Sequence, residues 1–209
     1  MLFSLSSHSG YGKNSEEIRV ENIEPGLVNG HLTISVECEN LFSKKCESTI
    51  QSGLRSSIHI YFKILDSGER CVYSDTLSHF ISYNFWQERY TVRSEDTTIT
   101  FTDLEDVKRH VSHVKNNNLM KESQLKPTIE YHIDVRFEIV PISPEDVKIM
   151  EDRLENPDQI GKDLPSEKKS NGFRINVNKI FSQLVRGRKP KNDSGWQSSN
   201  HFKISELDN

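Results

Sequence analysis

Histidine is the residue of this chain best able to hide chemistry, and there are eight copies. His59, His79 and His132 each sit in a segment with the period-two pattern of a strand. If those strands adjoin, the three imidazoles gather on a polar face beside Asp134 and Glu138. Imidazole and carboxylate together could hold a divalent metal or sense protons near neutrality. His59, His79, His132 and Asp134 are therefore the metal candidates, and through them the chain could be a metal-binding sensor or a hydrolase. The competing reading is ordinary cross-strand pairing with Arg136, worth roughly 0.2–1 kcal/mol per pair. His110 and His113 lie three apart on a helical pattern and can share a face, but a metal would need a third ligand from elsewhere.

No other constellation names a reaction. Acids are plentiful, yet none is set apart by apolar neighbours as a glycosidase pair would be. The GxSxG elbow, the Walker loop and the dinucleotide glycine fingerprint are absent from the sequence. No catalytic residue is assigned, no cofactor is expected, and the balance favours a chain that is not an enzyme. Cys38, Cys46 and Cys71 show no CxxC spacing, so they form either one disulfide with a free thiol or three buried thiols. Asn192-Asp193-Ser194 has glycosylation spacing, which matters only in a eukaryotic secretory protein.

The densest aromatic cluster is Tyr83-Asn84-Phe85-Trp86-Gln87-Glu88-Arg89-Tyr90. Aromatics beside an arginine are enriched at the centres of binding surfaces. Tyr83, Phe85, Trp86, Arg89 and Tyr90 are thus the protein-interaction candidates. The alternative is a hairpin whose rings fill the core and cap its end.

The elements that must position these residues are mostly strands. Ile129 to Ile139 alternates apolar and polar side chains without a break, so Tyr131, Ile133, Val135 and Phe137 face a core. An antiparallel sheet with one wet face follows. Ile18–Ile23 and Leu32–Cys38 read as strands, with Glu24-Pro25-Gly26 and Asn29-Gly30 as turns. Asn40–Ser52 reads as a short helix, with Ser43 as its cap and Gly53 its stop. Strands follow at Leu54–Ile64, Cys71–Tyr83, Phe85–Arg93 and Thr98–Phe101, with a turn at Asp66-Ser67-Gly68. Thr102-Asp103-Leu104-Glu105 fits a capping box for a helix carrying Leu104, Val107, Val111 and Val114. Lys115–Pro127 reads as a polar loop. Ser143-Pro144-Glu145-Asp146 starts another helix, running to about Leu154.

The fold class expected is mainly β, an antiparallel sandwich-like domain with two or three short helices; the alternative is an α+β two-layer antiparallel sheet. Residues 1–17 read as a flexible arm, 18–154 as a single β-rich domain and 155–172 as a polar linker. Residues 173–209 read as an extension partly docked on the domain through Trp196, Phe202, Ile204 and Leu207.

Composition narrows the partners. The net charge is −4 and the pI about 6.1, so no nucleic acid is expected. The one basic cluster, Arg186 to Lys191, reads as a solvated linker. No apolar run is long enough for a transmembrane segment. The weakly apolar Met1–Ser7 is not a full secretion signal. The chain is then periplasmic or envelope-associated if an upstream signal precedes this start, and cytoplasmic otherwise.

Several pieces occur in one order: Leu32–Cys38 followed by Glu47–Leu54, then Leu77–Val92 ending Arg89-Tyr90-Thr91-Val92, then Phe101–Val107, and Tyr131–Ile139 with Arg136 at its centre. This order resembles a bacterial envelope family, domain of unknown function 4390, over roughly residues 18–142, with Trp196 echoing a C-terminal Trp. The resemblance implies an exported, non-enzymatic protein and no catalytic residues. It fits a binding module with an unknown protein partner, acting through a sheet edge or the Tyr83–Tyr90 hairpin.

Overall fold

The computed structural model describes residues 17–95, 97–142 and 192–207. The first hairpin pairs β1 (Arg19–Val28) with β2 (His31–Glu39). Asn29 and Gly30 join them with φ of 51° and 72°, the left-handed pair that a two-residue hairpin turn requires. The expected Glu24-Pro25-Gly26 turn is instead inside β1. Proline is tolerated there because β1 is a sheet edge, and the ladder slips between Glu21 and Glu24 with Asn22 at φ 50°.

Helix α1 (Lys44–Gln51) starts as expected, with the Ser43 hydroxyl accepting from the Cys46 N–H at 3.2 Å. Gly53, at φ 82°, ends it and turns the chain into β3 (Ser56–Asp66). Ile58, Ile60, Phe62 and Ile64 on one face of β3 are fully buried. The Asp66 carboxylate accepts from the N–H groups of Gly68 and Arg70 and from the Arg70 guanidinium, closing the next turn. These bonds, with the Arg70 guanidinium first among them, hold its carboxyl below the usual carboxylate range.

Three strands of falling length follow: β4 (Cys71–Asn84), β5 (Arg89–Arg93) and β6 (Thr98–Phe101). The expected strand from Phe85 begins only at Arg89, because Asn84 Oδ1 accepts from the Trp86 and Gln87 N–H groups and bends Phe85–Glu88 into the turn. Helix α2 (Leu104–Ser112) buries Leu104, Val107 and Val111. Its cap is Asp103, accepting from the Glu105 N–H at 2.8 Å, and not Thr102 as the sequence pattern suggests.

The polar stretch expected as a loop is largely a strand, β7 (His113–Lys121), which pairs with β2. Val114 is therefore a buried strand residue, not the last of the helical stripe. The long alternating segment is β8 (Tyr131–Val140). A short β9 (Gln197–Ser198) returns along it.

Both sheets are antiparallel: β1-β2-β7, and β6-β5-β4-β3-β8-β9. One core joins Leu32, Ile34 and Val36 of β2 to the inner rows of β3 and β8, with Ile50 of α1 and Val107 and Val111 of α2. The molecule is mainly β, two antiparallel sheets in sandwich-like array with two helices among the described residues. The expected helix from Ser143, the Asn156–Gly172 linker and the Phe173–Lys191 segments lie outside the described residues, as does the arm before Glu17.

Candidate functional site

The β3 register decides the fate of the histidine cluster. His59 stands opposite Ser78 of β4 and Glu138 of β8. His79 stands opposite Ile58, so its ring is on the inner face of the sheet. There it is 7% exposed, accepts or donates through Nδ1 to Ser94 Oγ at 2.7 Å, and meets the His110 ring edge-on at 6.1 Å. Burial, with His110 adding to it, pushes its pKa down to about 4. His132 is on the outer face with His59, but it pairs with Leu65. Six positions separate it from Glu138, about 20 Å along a strand. The three histidines therefore do not converge, and the metal reading built on them fails. Among the described residues no group of three His, Cys, Asp or Glu is placed to hold a metal ion.

Each histidine has its own local partners. His59 lies between Ser57 Oγ and Ser78 Oγ, at 3.1 and 2.9 Å. His132 packs against His201 at 4.9 Å between centroids, with Nε2 3.7 Å from Asp134 Oδ1. Asp134 accepts from the Ser198 hydroxyl at 2.6 Å. His110 and His113 do not share a helix face, because His113 is already extended as the first residue of β7. Cys38 and Cys46 are buried free thiols whose pKa values burial pushes up to about 12. Cys71 is a free thiol at the surface, so neither cysteine expectation describes the set.

What the outer face does assemble is a latch. The Arg136 guanidinium lies 4.5 Å above the Tyr61 ring and 5.2 Å from that of Trp196. Lys63 Nζ covers Trp196 at 4.1 Å. The Tyr61 hydroxyl donates to Glu138 Oε2 at 2.8 Å, and burial plus that carboxylate raise its pKa. Cation–π contacts of this kind contribute about 0.5–1 kcal/mol each at exposed sites. The two on Trp196 help to hold residues 192–207 on β8. Backbone bonds join Tyr131 to Phe202, Ser199 to Ile133 and Ser194 to Phe137, and the hydroxyls of Ser194 and Ser199 satisfy two further β8 amides. Phe202 and Ile204 are buried. Beside the latch an open groove of about 480 Å³ is lined by Tyr61, Lys63, Ser74, Asp75, Thr76 and Trp196.

The aromatic hairpin divides by role. Tyr90 is buried, and Tyr83 stacks between it and Phe85 at 4.5 and 5.1 Å. Phe85 reaches back over Gly53, whose missing Cβ would stand 2.6 Å from its ring. These three cap the end of the domain. Trp86, at the tip, is 94% exposed, and Arg89 beside it is also at the surface.

The sheet edges complete the inventory. β1 is blunted by Pro25 and its bulge, β6 by its length of 4 residues, β7 by Lys115, Lys121 and a ladder slip, and β8 by the latch. β4 differs. It has fourteen residues, and β5 pairs only with Phe80–Asn84. Among the described residues, nothing pairs with Cys71–His79 on the side away from β3. Sequence reasoning named the hairpin and expected a tail docked through Trp196, Phe202, Ile204 and Leu207, but it missed this step and the Tyr61, Lys63 and Arg136 side chains that receive Trp196. The unequal strand lengths were the signal for the step.

In comparisons with known proteins, residues 15–140 match the model of a family described as Domain of unknown function (DUF4390). No curated protein and no solved structure matches. The match ends on the last residue of β8, so the latch lies beyond it.

Proposed function

The chain belongs to that family, DUF4390, and from this premise we propose that it is a non-enzymatic protein-interaction module of the bacterial envelope, binding through the tip of the β4–β5 hairpin. The observation that carries the reading is Trp86. A tryptophan left almost wholly in water forfeits a large apolar burial, and such side chains at surfaces serve as binding anchors. Phe85, 52% exposed, widens the patch, and Arg89 gives it a cationic flank. The tip is held rigid from behind by the Tyr83–Tyr90 stack and the Phe85–Gly53 contact, which lowers the ordering cost of binding.

Loss of a central tryptophan anchor costs about 2 kcal/mol or more, some thirtyfold in affinity. The test is a photo-crosslinking residue placed at position 86 in the native host, with position 205 as an exposed control. A discrete adduct at 86 but not 205, in the envelope fraction, is the expected result. Equal smears at both positions, or a wholly cytosolic pool, would sink the proposal.

A further inference from the structure

We infer that the edge of β8 facing away from β3 is an acceptor site for a strand of another protein, and that the latch is its in-chain occupant, which a regular strand displaces. On its other side β8 pairs with β3 over ten consecutive positions without a slip. The latch matches β8 less well. It pairs Phe202 with Tyr131, Ser198 with Asp134, Gln197 with Val135 and Asp193 with Glu138. Residues 199–201 therefore stand against two residues of β8, and 194–196 do the same, so the latch carries one extra residue on each side of β9. The Ile133 and Phe137 amides are met by the Ser199 and Ser194 hydroxyls in place of the carbonyls of a regular ladder.

Two further observations mark the same misfit. Among the described residues, the buried side-chain nitrogens without a hydrogen-bond partner are His132 Nδ1 and Arg136 Nε. Both belong to the outer row of β8, and the latch lies against both, His201 on His132 and Trp196 on Arg136. Native structures hold few such atoms, since each gives up a bond that water would supply. Opposite Val135, the latch presents the exposed Gln197, and a gap of about 340 Å³ remains between it and Val20 and Ile23 of β1. The family match holds all of β8 and none of the latch. These features define the partner: an extended strand without a bulge, antiparallel to β8 over Tyr131–Ile139. It has an aromatic residue in the Phe202 seat, β-branched residues opposite Ile133, Val135 and Phe137, and an acid opposite Arg136. Its carbonyls reach the Ile133 and Phe137 amides, its side chain opposite Val135 fills the gap, and its acid gives Arg136 a carboxylate besides Glu138, which stands 3.8 Å away.

The probe is a synthetic fluorescent peptide built to that pattern, with valine opposite Ile133, Val135, Phe137 and Ile139, phenylalanine opposite Tyr131, glutamate opposite Arg136 and threonine elsewhere. Titration with the full chain should raise its anisotropy, and a peptide of scrambled order should show no rise. Phe202→Ala empties the latch's main seat and should tighten binding at least tenfold. Trp196→Ala, at a partly exposed position, should act in the same direction and serves if the first variant does not fold. A further chain locks the latch: in a Cys71→Ser background, Asp134→Cys and Ser198→Cys, at directly opposite positions, can be joined by a disulfide. The oxidised chain should refuse the peptide and the reduced chain accept it. Bound peptide should also strip hydrogen-exchange protection from the Ser194 and Ser199 amides while those of Ile133 and Phe137 stay protected. Equal binding by the oxidised and reduced chains would put the peptide elsewhere, at the hairpin tip or the β4 edge, and overturn the inference. Binding that neither latch variant tightens, or no binding to any of these chains, overturns it as well and leaves the latch a fixed part of the fold.

Discussion

His79 shows how one side chain sets a pH dependence. Its folded pKa lies near 4 because burial, and His110 beside it, disfavour the cation. The unfolded chain takes up that proton near 6.5. Between those values the unfolded state holds more protons, so stability falls as pH falls from about 6.5 to about 4 and levels off below. The loss is about 3 kcal/mol at most. Urea titrations across that range should show the slope, and His79→Leu should flatten it. Gly53 offers a second test. A side chain there must adopt φ 82° and push the Phe85 ring aside, so Gly53→Ala should cost about 1–2 kcal/mol of stability, measured by urea titration. At this scale the sequence was legible where a residue acts alone. Ser43 caps and Asn29-Gly30 turns because of their own side-chain and backbone chemistry. The face of His79 and the register position of His132 were not legible, since both depend on the pairing between strands distant in sequence.

At the scale of elements, legibility followed burial. β8 could be read outright because its whole inner row faces the core. β7 could not, because Lys115 to Asn118 has the composition of a loop and becomes a strand only through β2. The docking of residues 192–207 rests on two buried apolar side chains, Phe202 and Ile204, the cations around Trp196 and a handful of ladder bonds. Phe202→Ala removes the larger anchor. Truncating a buried Phe costs about 3–5 kcal/mol. Hydrogen exchange should then show Ser194, Ser199 and the mutated position unprotected while the Ile58–Phe62 amides stay slow. Loss of protection in both regions together would mean the latch is part of the global fold and not a separable element.

For the whole molecule, the two-sheet architecture was legible from strand count and alternation, whereas the notch beside β4 was not. It arises from the difference in length between neighbours, a property of no single strand. The same whole-molecule view gives meaning to the way the chain leaves and rejoins β8. It departs after Val140, and the Ile139 N–H donates to the Asn192 carbonyl at 2.8 Å. The described chain on either side of 143–191 is thus held side by side, at Ile139 and Asn192. Closing a loop between fixed ends costs only about 0.6 kcal/mol per doubling of its length. A Gly/Ser stretch inserted after Ile142 that doubles the chain length between these fixed ends should leave the fold intact and cost only about 0.6 kcal/mol, read from the melting midpoint. That junction is then a port: cargo of any length spliced there is carried on the domain at little entropic cost.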